Sequence, residues 1–247
     1  MSDYPIILGV YSLRQETQIG LGDTSAKRDT LTYWFARQLD KDLFEIQPLN
    51  IYHVPSGVKT KLPAREFLKN YTPEPQYYKV FTVPALNSLA QKVASGEKFF
   101  AQGQMDESEK AFLKALMIDD LNANANYGLG KVYSATEDFT KLKKVLNTLL
   151  RLDEAFDQEH RQQFNNFGIN LRKNKMYEEA LNFYSRALEI NAMDEHVYFN
   201  MARACYEKRS LDECLQHLNV ALAINPDFTE ARKFLEHCQA ELAKSAD

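Results

Sequence analysis

The chain has 247 residues, of which 45% are hydrophobic and 26% charged, with a formal net charge of −4. That is ordinary globular composition, enough for one large domain or two modest ones. The mildly acidic balance lacks the basic footprint of a nucleic-acid binder, so nucleic acid is not expected as a partner.

Residues 1–85 carry 10 Lys+Arg against 9 Asp+Glu, which leaves 20 and 25 for the rest, so the acidity sits in the C-terminal part. The first apolar run, residues 5–11 (PIILGVY), follows Asp3 and has neither a basic flank nor a small-residue cleavage site. It is also too short to span a bilayer, so it reads as a buried strand rather than a targeting or membrane segment. Residues 19–28 (IGLGDTSAKR) hold a glycine cluster. A phosphate cradle would need a third glycine or a Gly-Lys-Ser/Thr ending, so a hairpin loop is the reading taken. Arg14, Lys27 and Arg28 would give that loop a small anion-binding patch or a solvated basic edge.

Residues 30–35 (TLTYWF) are rich in β-branched and aromatic side chains and read as a strand. Residues 39–43 (LDKDL) read as a hairpin turn into a strand over 44–47. Pro55-Ser56-Gly57 is a turn, 58–62 a short strand, and 63–69 a short helix with Pro63 at its first position. Thr72-Pro73-Glu74-Pro75 reads as an extended linker. These elements make a small β-rich module of about four strands over residues 1–80, which resembles no family identified from its residues. Residues 81–247 form the second domain.

Beyond residue 85 the pattern repeats. A column of small residues runs Gly96, Gly130, Gly168 and Ala202, in steps of 34, 38 and 34. A second column, Ala115, Leu149, Ala187 and Ala221, takes the same steps, as do the large residues Phe112, Leu146, Tyr184 and Leu218. Such periodicity marks stacked supersecondary units. The chain resembles the tetratricopeptide repeat over roughly residues 86–247, with units at 89–122, 123–156, 161–194 and 195–228. The fourth has the clearest tail, in Cys214, Leu218, Ala221 and Pro226. The second is the most divergent, with Leu142 and Leu149 where small residues are expected.

The resemblance implies an α+β chain that is mainly helical, a right-handed superhelix of helix pairs behind the β-rich module. Nine helices are expected over 86–247, four pairs and a cap. Small residues sit where two helix backbones approach closely, large ones fill the space beside them, and stacking supplies the core. The four extra residues between Leu149 and Gly168 equal about one helical turn, so a lengthened helix would keep its face inward. Residues 227–230 (DFTE) have capping-box spacing. The helix over 229–244 carries Ala231, Phe234, Leu235, Cys238 and Leu242 on one side, an amphipathic cap for the last repeat.

Chemistry is sparsely signalled. The histidines lack HxxxH or HExxH spacing, and no GxSxG elbow occurs, so neither a metal site nor a catalytic residue is assigned and no cofactor is expected. Cys205, Cys214 and Cys238 show no CxxC spacing and read as reduced packing residues of a cytoplasmic protein.

In the family the first helix of each unit lines the concave face. The resemblance therefore implies a peptide-binding groove from Tyr127 and Lys131, then Asn165, Asn166, Ile169 and Arg172, then Phe199, Asn200, Arg203 and Tyr206, with Lys233 from the last helix. Asn can bond a peptide backbone, aromatic rings give area, and Arg pairs carboxylates. The family's clamp for acidic chaperone tails needs a Lys/Asn/Asn/Lys/Arg set. In that register the chain offers Tyr127, Lys131, Asn166, His196 and Asn200, of which only Asn166 matches, so chaperone-tail binding is not expected. The leading expectation is a non-enzymatic scaffold or adaptor that holds a segment of a partner protein. A ligand sensor or enzyme, with a small anion on the β-rich module, is the alternative, and self-association stays open.

Overall fold

The computed structural model describes residues 4–19 and 26–245. The glycine-loop reading over 19–28, and the anion patch that relied on it, fall largely outside the described residues. The chain divides into two compact units: Met1–Ser95 with Leu113–Asn122, and Gly96–Phe112 with Ala123–Asp247.

The first unit is built on a five-stranded antiparallel sheet in the order β4-β3-β2-β1-β5, one strand more than expected. Its strands are β1 (Ile6–Ile19), β2 (Ala26–Asp40), β3 (Leu43–Pro48), β4 (Thr60–Pro63) and β5 (Tyr71–Pro73). The extra strand is the segment read as a linker: Tyr71–Pro73 pairs with Tyr11–Leu13 at the sheet edge. Prolines are tolerated there because an edge strand needs only one row of donors. The β1–β2 register slips at Gly9, whose φ of +95° favours glycine and where an added methyl group would stand 3.2 Å from the Tyr78 ring.

Alternation along β2 gives the sheet two faces. The helix α1 (Ala64–Asn70) lays Phe67 over Ala36, Phe44 and Ile46, with the Phe44 and Phe67 rings stacked at 4.5 Å. Pro63 closes β4 and caps this helix instead of beginning it. On the other face Tyr33 stacks on Tyr77 at 4.0 Å. Tyr77 ends the short turn α2 (Pro75–Tyr77), which passes through a π-turn at Tyr78–Thr82 into α3 (Val83–Ala101). The segment Leu113–Asn122 joins this unit through two bonds. Asn50 Nδ2 donates to the Ile118 carbonyl (2.7 Å), and Ser56 Oγ to Asp119 Oδ1 (2.9 Å).

The second unit is helical, and α3 and α4 each belong partly to the first. From Val83 onward nine α-helices lie among the described residues, α3 and then α4 (Met105–Leu116), α5 (Ala123–Ala135), α6 (Phe139–Leu149), α7 (Arg161–Lys173), α8 (Tyr177–Ile190), α9 (Glu195–Glu207), α10 (Leu211–Ile224) and α11 (Thr229–Ser245). No strand occurs among the described residues after β5.

The small-residue column does what close helix approach demands. A methyl group on Gly96 would sit 2.6 Å from Phe112, one on Gly130 2.4 Å from Phe167, and one on Gly168 2.4 Å from Tyr184. Phe112, Tyr184 and Leu218 are fully buried. A second regularity, invisible in composition, lies in the turns. Gly103, Glu137, Lys175 and Arg209 have φ of 74°, 56°, 59° and 72°, again in steps of 34, 38 and 34. Each closes its first helix with the same 6→1 bond: Gln104 to Phe99, Asp138 to Tyr133, Met176 to Leu171 and Ser210 to Cys205, at 2.9–3.0 Å.

Only one of these four left-handed positions holds glycine. A side chain there costs about 1–2 kcal/mol, offset in part by the extra unfolded-state freedom of glycine. Lys175→Gly should therefore raise stability by roughly 0.5–1 kcal/mol, while Gly103→Ala should lower it. Urea titration of both variants checks this, since both effects act through the same φ.

The four extra residues do not lengthen a helix. After Leu149 the chain makes two 3-10 turns, Asp153–Phe156 and Gln158–His160, before α7 begins. The extended backbone of Leu152 and Asp157 stops the helical run. The turns carry Ala155 and Phe156 inward; the Phe156 ring lies 4.9 Å from that of Phe183 and 6.1 Å from that of Phe164. The first of these turns packs beside α8.

The last repeat closes on α11 through a cluster of Ala202, Cys205, Cys214, Leu218, Phe228, Ala231 and Cys238. The turn before α11 is held by Asn225, whose Oδ1 accepts from the Asp227 N–H at 3.1 Å. The three thiols are unbridged and buried. Burial pushes Cys205 up to about 12, and Cys214 and Cys238 also upward, so they pack as neutral thiols.

Candidate functional site: a trough beside the last repeat

The first helices of the repeats place the groove residues at several depths. From α5, Tyr127 turns inward. It is 2% exposed and donates to the Ala155 carbonyl at 2.6 Å, so the insertion that fills the interior also takes its hydroxyl. Lys131 lies near the surface but is held by Glu97, with Nζ 2.8 and 2.9 Å from the two carboxylate oxygens.

From α7, Asn165 and Asn166 line a polar hollow of about 540 Å3 with Gln158, Gln162 and Gln163. The Asn165 Oδ1 is buried without a partner. Ile169 is half-buried and Arg172 is 5% exposed. Arg172 is paired to Glu207 of α9, while its Nε meets no acceptor.

From α9, Asn200 is 9% exposed and so lies in the wall, not on its surface. Phe199 and Arg203 face a second, open hollow of about 450 Å3, completed from α11 by Glu230, Lys233, Phe234 and His237. Tyr206 borders it. Its ring lies 5.3 Å from that of Phe234, and its hydroxyl donates to Glu241 at 2.7 Å. This accounts for the raised Tyr206 phenol, since a carboxylate partner favours the protonated form. Arg203 shows the opposite imbalance. Burial and the neighbouring Arg172 both lower its pKa, and Glu207 opposes them.

The structure thus gathers Phe199, Arg203 and Lys233 in one trough, with Tyr206 at its edge, and Asn165 and Asn166 in another. Tyr127, Arg172 and Asn200 are in the interior. The glutamines at 158, 162 and 163 were absent from the expected set. Gln162 could have been found, because it stands second in its unit, on the concave side of the family's first helix. Among the described residues no three His, Cys, Asp or Glu gather as metal ligands, and no helix is long and apolar enough to cross a membrane.

Family models for the tetratricopeptide repeat match residues 123–156 and 171–238. The chain carries tetratricopeptide repeats. The matched segments take in the second repeat and run from α7 into α11, and the N-terminal sheet remains unassigned.

The chain is 24% identical over 181 residues to the tetratricopeptide repeat and J domain-containing co-chaperone DNJ1 of Cryptococcus neoformans, covering 66% of this chain and 33% of that protein. It is 34% identical over 94 residues to Hsp70-Hsp90 organizing protein 3 of Arabidopsis thaliana, covering 38% and 16%. The chain therefore spans a third or less of the length of these relatives. Among solved structures, a MamA fragment from Desulfovibrio magneticus RS-1 superimposes with a TM-score of 0.48 at 15% identity, covering 63% of this chain and 86% of that one. Tetratricopeptide repeats are typical of protein–protein interaction modules.

Proposed function

We propose that the chain is a non-enzymatic scaffold or adaptor, in which the repeat domain over 81–247 holds a peptide segment of a partner protein and the β-rich module over 1–80 is a separate accessory. The observation that carries this reading is the trough between α9 and α11. Phe199 and Phe234 are only partly buried there although they border a packed core, and among the described residues Arg203 and Lys233 beside them find no ion-pair partner. Aromatic and arginine side chains half-withdrawn from water are the usual anchors of binding energy. Neither a nucleic acid nor a membrane is needed to account for the surface. The chain would work in the cytoplasm, where its three thiols stay reduced.

The test is a triple variant, Asn166→Ala, Arg203→Ala and Lys233→Ala. None of these side chains makes a hydrogen bond or ion pair that holds the fold. Tyr206 is left intact because its ring and hydroxyl brace α11. A partner purified from the native host should bind the variant at least tenfold more weakly, about 1.4 kcal/mol. Added salt should weaken the wild-type complex, because the cations are partly exposed. Full retention by a well-folded variant would move the binding surface away from these helices.

A further inference from the structure

Along α9, which neighbours α7 on one side and faces α11 across the trough, positive charge exceeds what the protein itself neutralises. Arg172 and Arg203 come from successive repeats and are close enough that each acts on the buried Tyr184 hydroxyl and Arg172 acts on Arg203. The one carboxylate paired there, Glu207, is taken by Arg172. Among the described residues Arg203 finds no ion-pair or hydrogen-bond partner. Two neighbouring polar atoms also lack partners among the described residues: the hydroxyl of Tyr184, which is fully buried against Gly168, and Nε of Arg172, a residue 5% exposed. Both of those atoms are buried and neither lines the trough, so the donor it offers an outside acceptor from this side is Arg203 itself.

The surroundings restrict that acceptor. Lys233 adds a second unpaired cation across the trough, but Glu230 lies on the same wall. A single negative charge suits two cations and one acid better than a dianion does. The rest of the wall is aromatic, with the Phe199 ring 6.1 Å from that of Phe234 and the Phe234 ring stacked on His237 at 6.5 Å. Phe199 and Arg203 lie one turn apart on α9, about 6 Å along its axis. Two residues of extended chain cover about 6.6 Å and point the same way.

We propose that this trough takes a three-residue element of an extended partner segment, an Asp or Glu separated by one residue from a bulky apolar side chain. The carboxylate pairs with Arg203 and Lys233, and the apolar group lies on Phe199, Phe234 and His237. This rests on the groove reading and names its ligand.

The experiment is panning of random phage-displayed 16-residue peptides on the full chain at low salt, followed by titration of the enriched sequences as synthetic peptides. Enrichment of the acid–any–apolar spacing is expected. Arg203→Ala should weaken such a peptide at least tenfold, and Arg203→Glu should prefer the same peptide with Lys in place of its acid. Circular dichroism and melting curves confirm that the variants fold. Three results would overturn the proposal. Enriched peptides lacking the acid but still lost in Phe199→Ala would refute it and leave the groove reading standing. A phosphoserine replacement that binds more than tenfold tighter than the acid would replace the carboxylate by a phosphate. No enrichment, or binding indifferent to every α7, α9 and α11 variant, would remove the groove reading as well.

Discussion

A chain ending at Phe228 should aggregate or melt far below the full chain. Its loss would be α11, whose Ala231, Phe234, Leu235 and Cys238 complete the cluster around Leu218 and Cys214. In a stacked array the terminal unit has no neighbour, so its outer face needs a helix that is apolar on one side only. Uncovering even 200–300 Å2 of apolar surface costs roughly 5–8 kcal/mol at about 25 cal/mol per Å2. A domain's whole stability is about 5–15 kcal/mol. The truncation also breaks the Tyr206–Glu241 bond and strips one wall from the trough. Differential scanning fluorimetry and size-exclusion chromatography read the outcome. An unchanged melting curve would mean that α11 is not structurally required.

Gly128→Ala should be nearly as informative with a single methyl group. The added carbon would sit 2.2 Å from the Phe112 ring, which Gly96 also crowds, since a methyl there would stand at 2.6 Å. Phe112 is fully buried and cannot retreat. Overpacking of this kind costs about 1–3 kcal/mol, against a helix-propensity gain of up to about 1 kcal/mol. A net loss of about 1–2 kcal/mol is expected by urea denaturation. Phe112→Leu shrinks the obstacle, so in the double variant Gly128→Ala should cost little. Additive losses from the two substitutions would show that the ring and the glycine are not in contact.

Gly128 illustrates what periodicity conveys and what it omits. Columns separated by 34, 38 and 34 residues predict helix pairs, because each marks one recurrent contact, and the Gly96–Phe112 and Gly168–Tyr184 approaches meet that expectation. Gly128 belongs to no column, since it serves one contact between neighbouring units. The left-handed turns at Glu137, Lys175 and Arg209 were equally hidden, because the usual signal is glycine and only Gly103 supplies it. The insertion after Leu149 was visible as four residues but not as 3-10 turns, since an added helical turn and a plug of the same length look alike in a sequence. Tyr71–Pro73 passed for a linker because prolines suppress strand propensity, whereas an edge position tolerates them.

The trough was legible in the same uneven way. Phe199, Arg203 and Lys233 fall at spacings that put them on one side of their helices, and the structure brings them together. Tyr127, Arg172 and Asn200 share those spacings yet are buried, because depth depends on the neighbouring unit. Tyr127 is drawn in by the carbonyl of Ala155, and Arg172 by Glu207 from the next repeat. A repeat register assigns a side; the carboxylates and carbonyls across the interface decide which members of that side remain free.

Hydrogen exchange by mass spectrometry on the full chain, with and without a saturating enriched peptide, tests the central claim most directly. Peptide binding in the trough predicts slowed exchange in α9 and α11, with a smaller effect in α7 and none in the β1–β5 sheet. Protection confined to the sheet, or to α6, α8 and α10 alone, would contradict it.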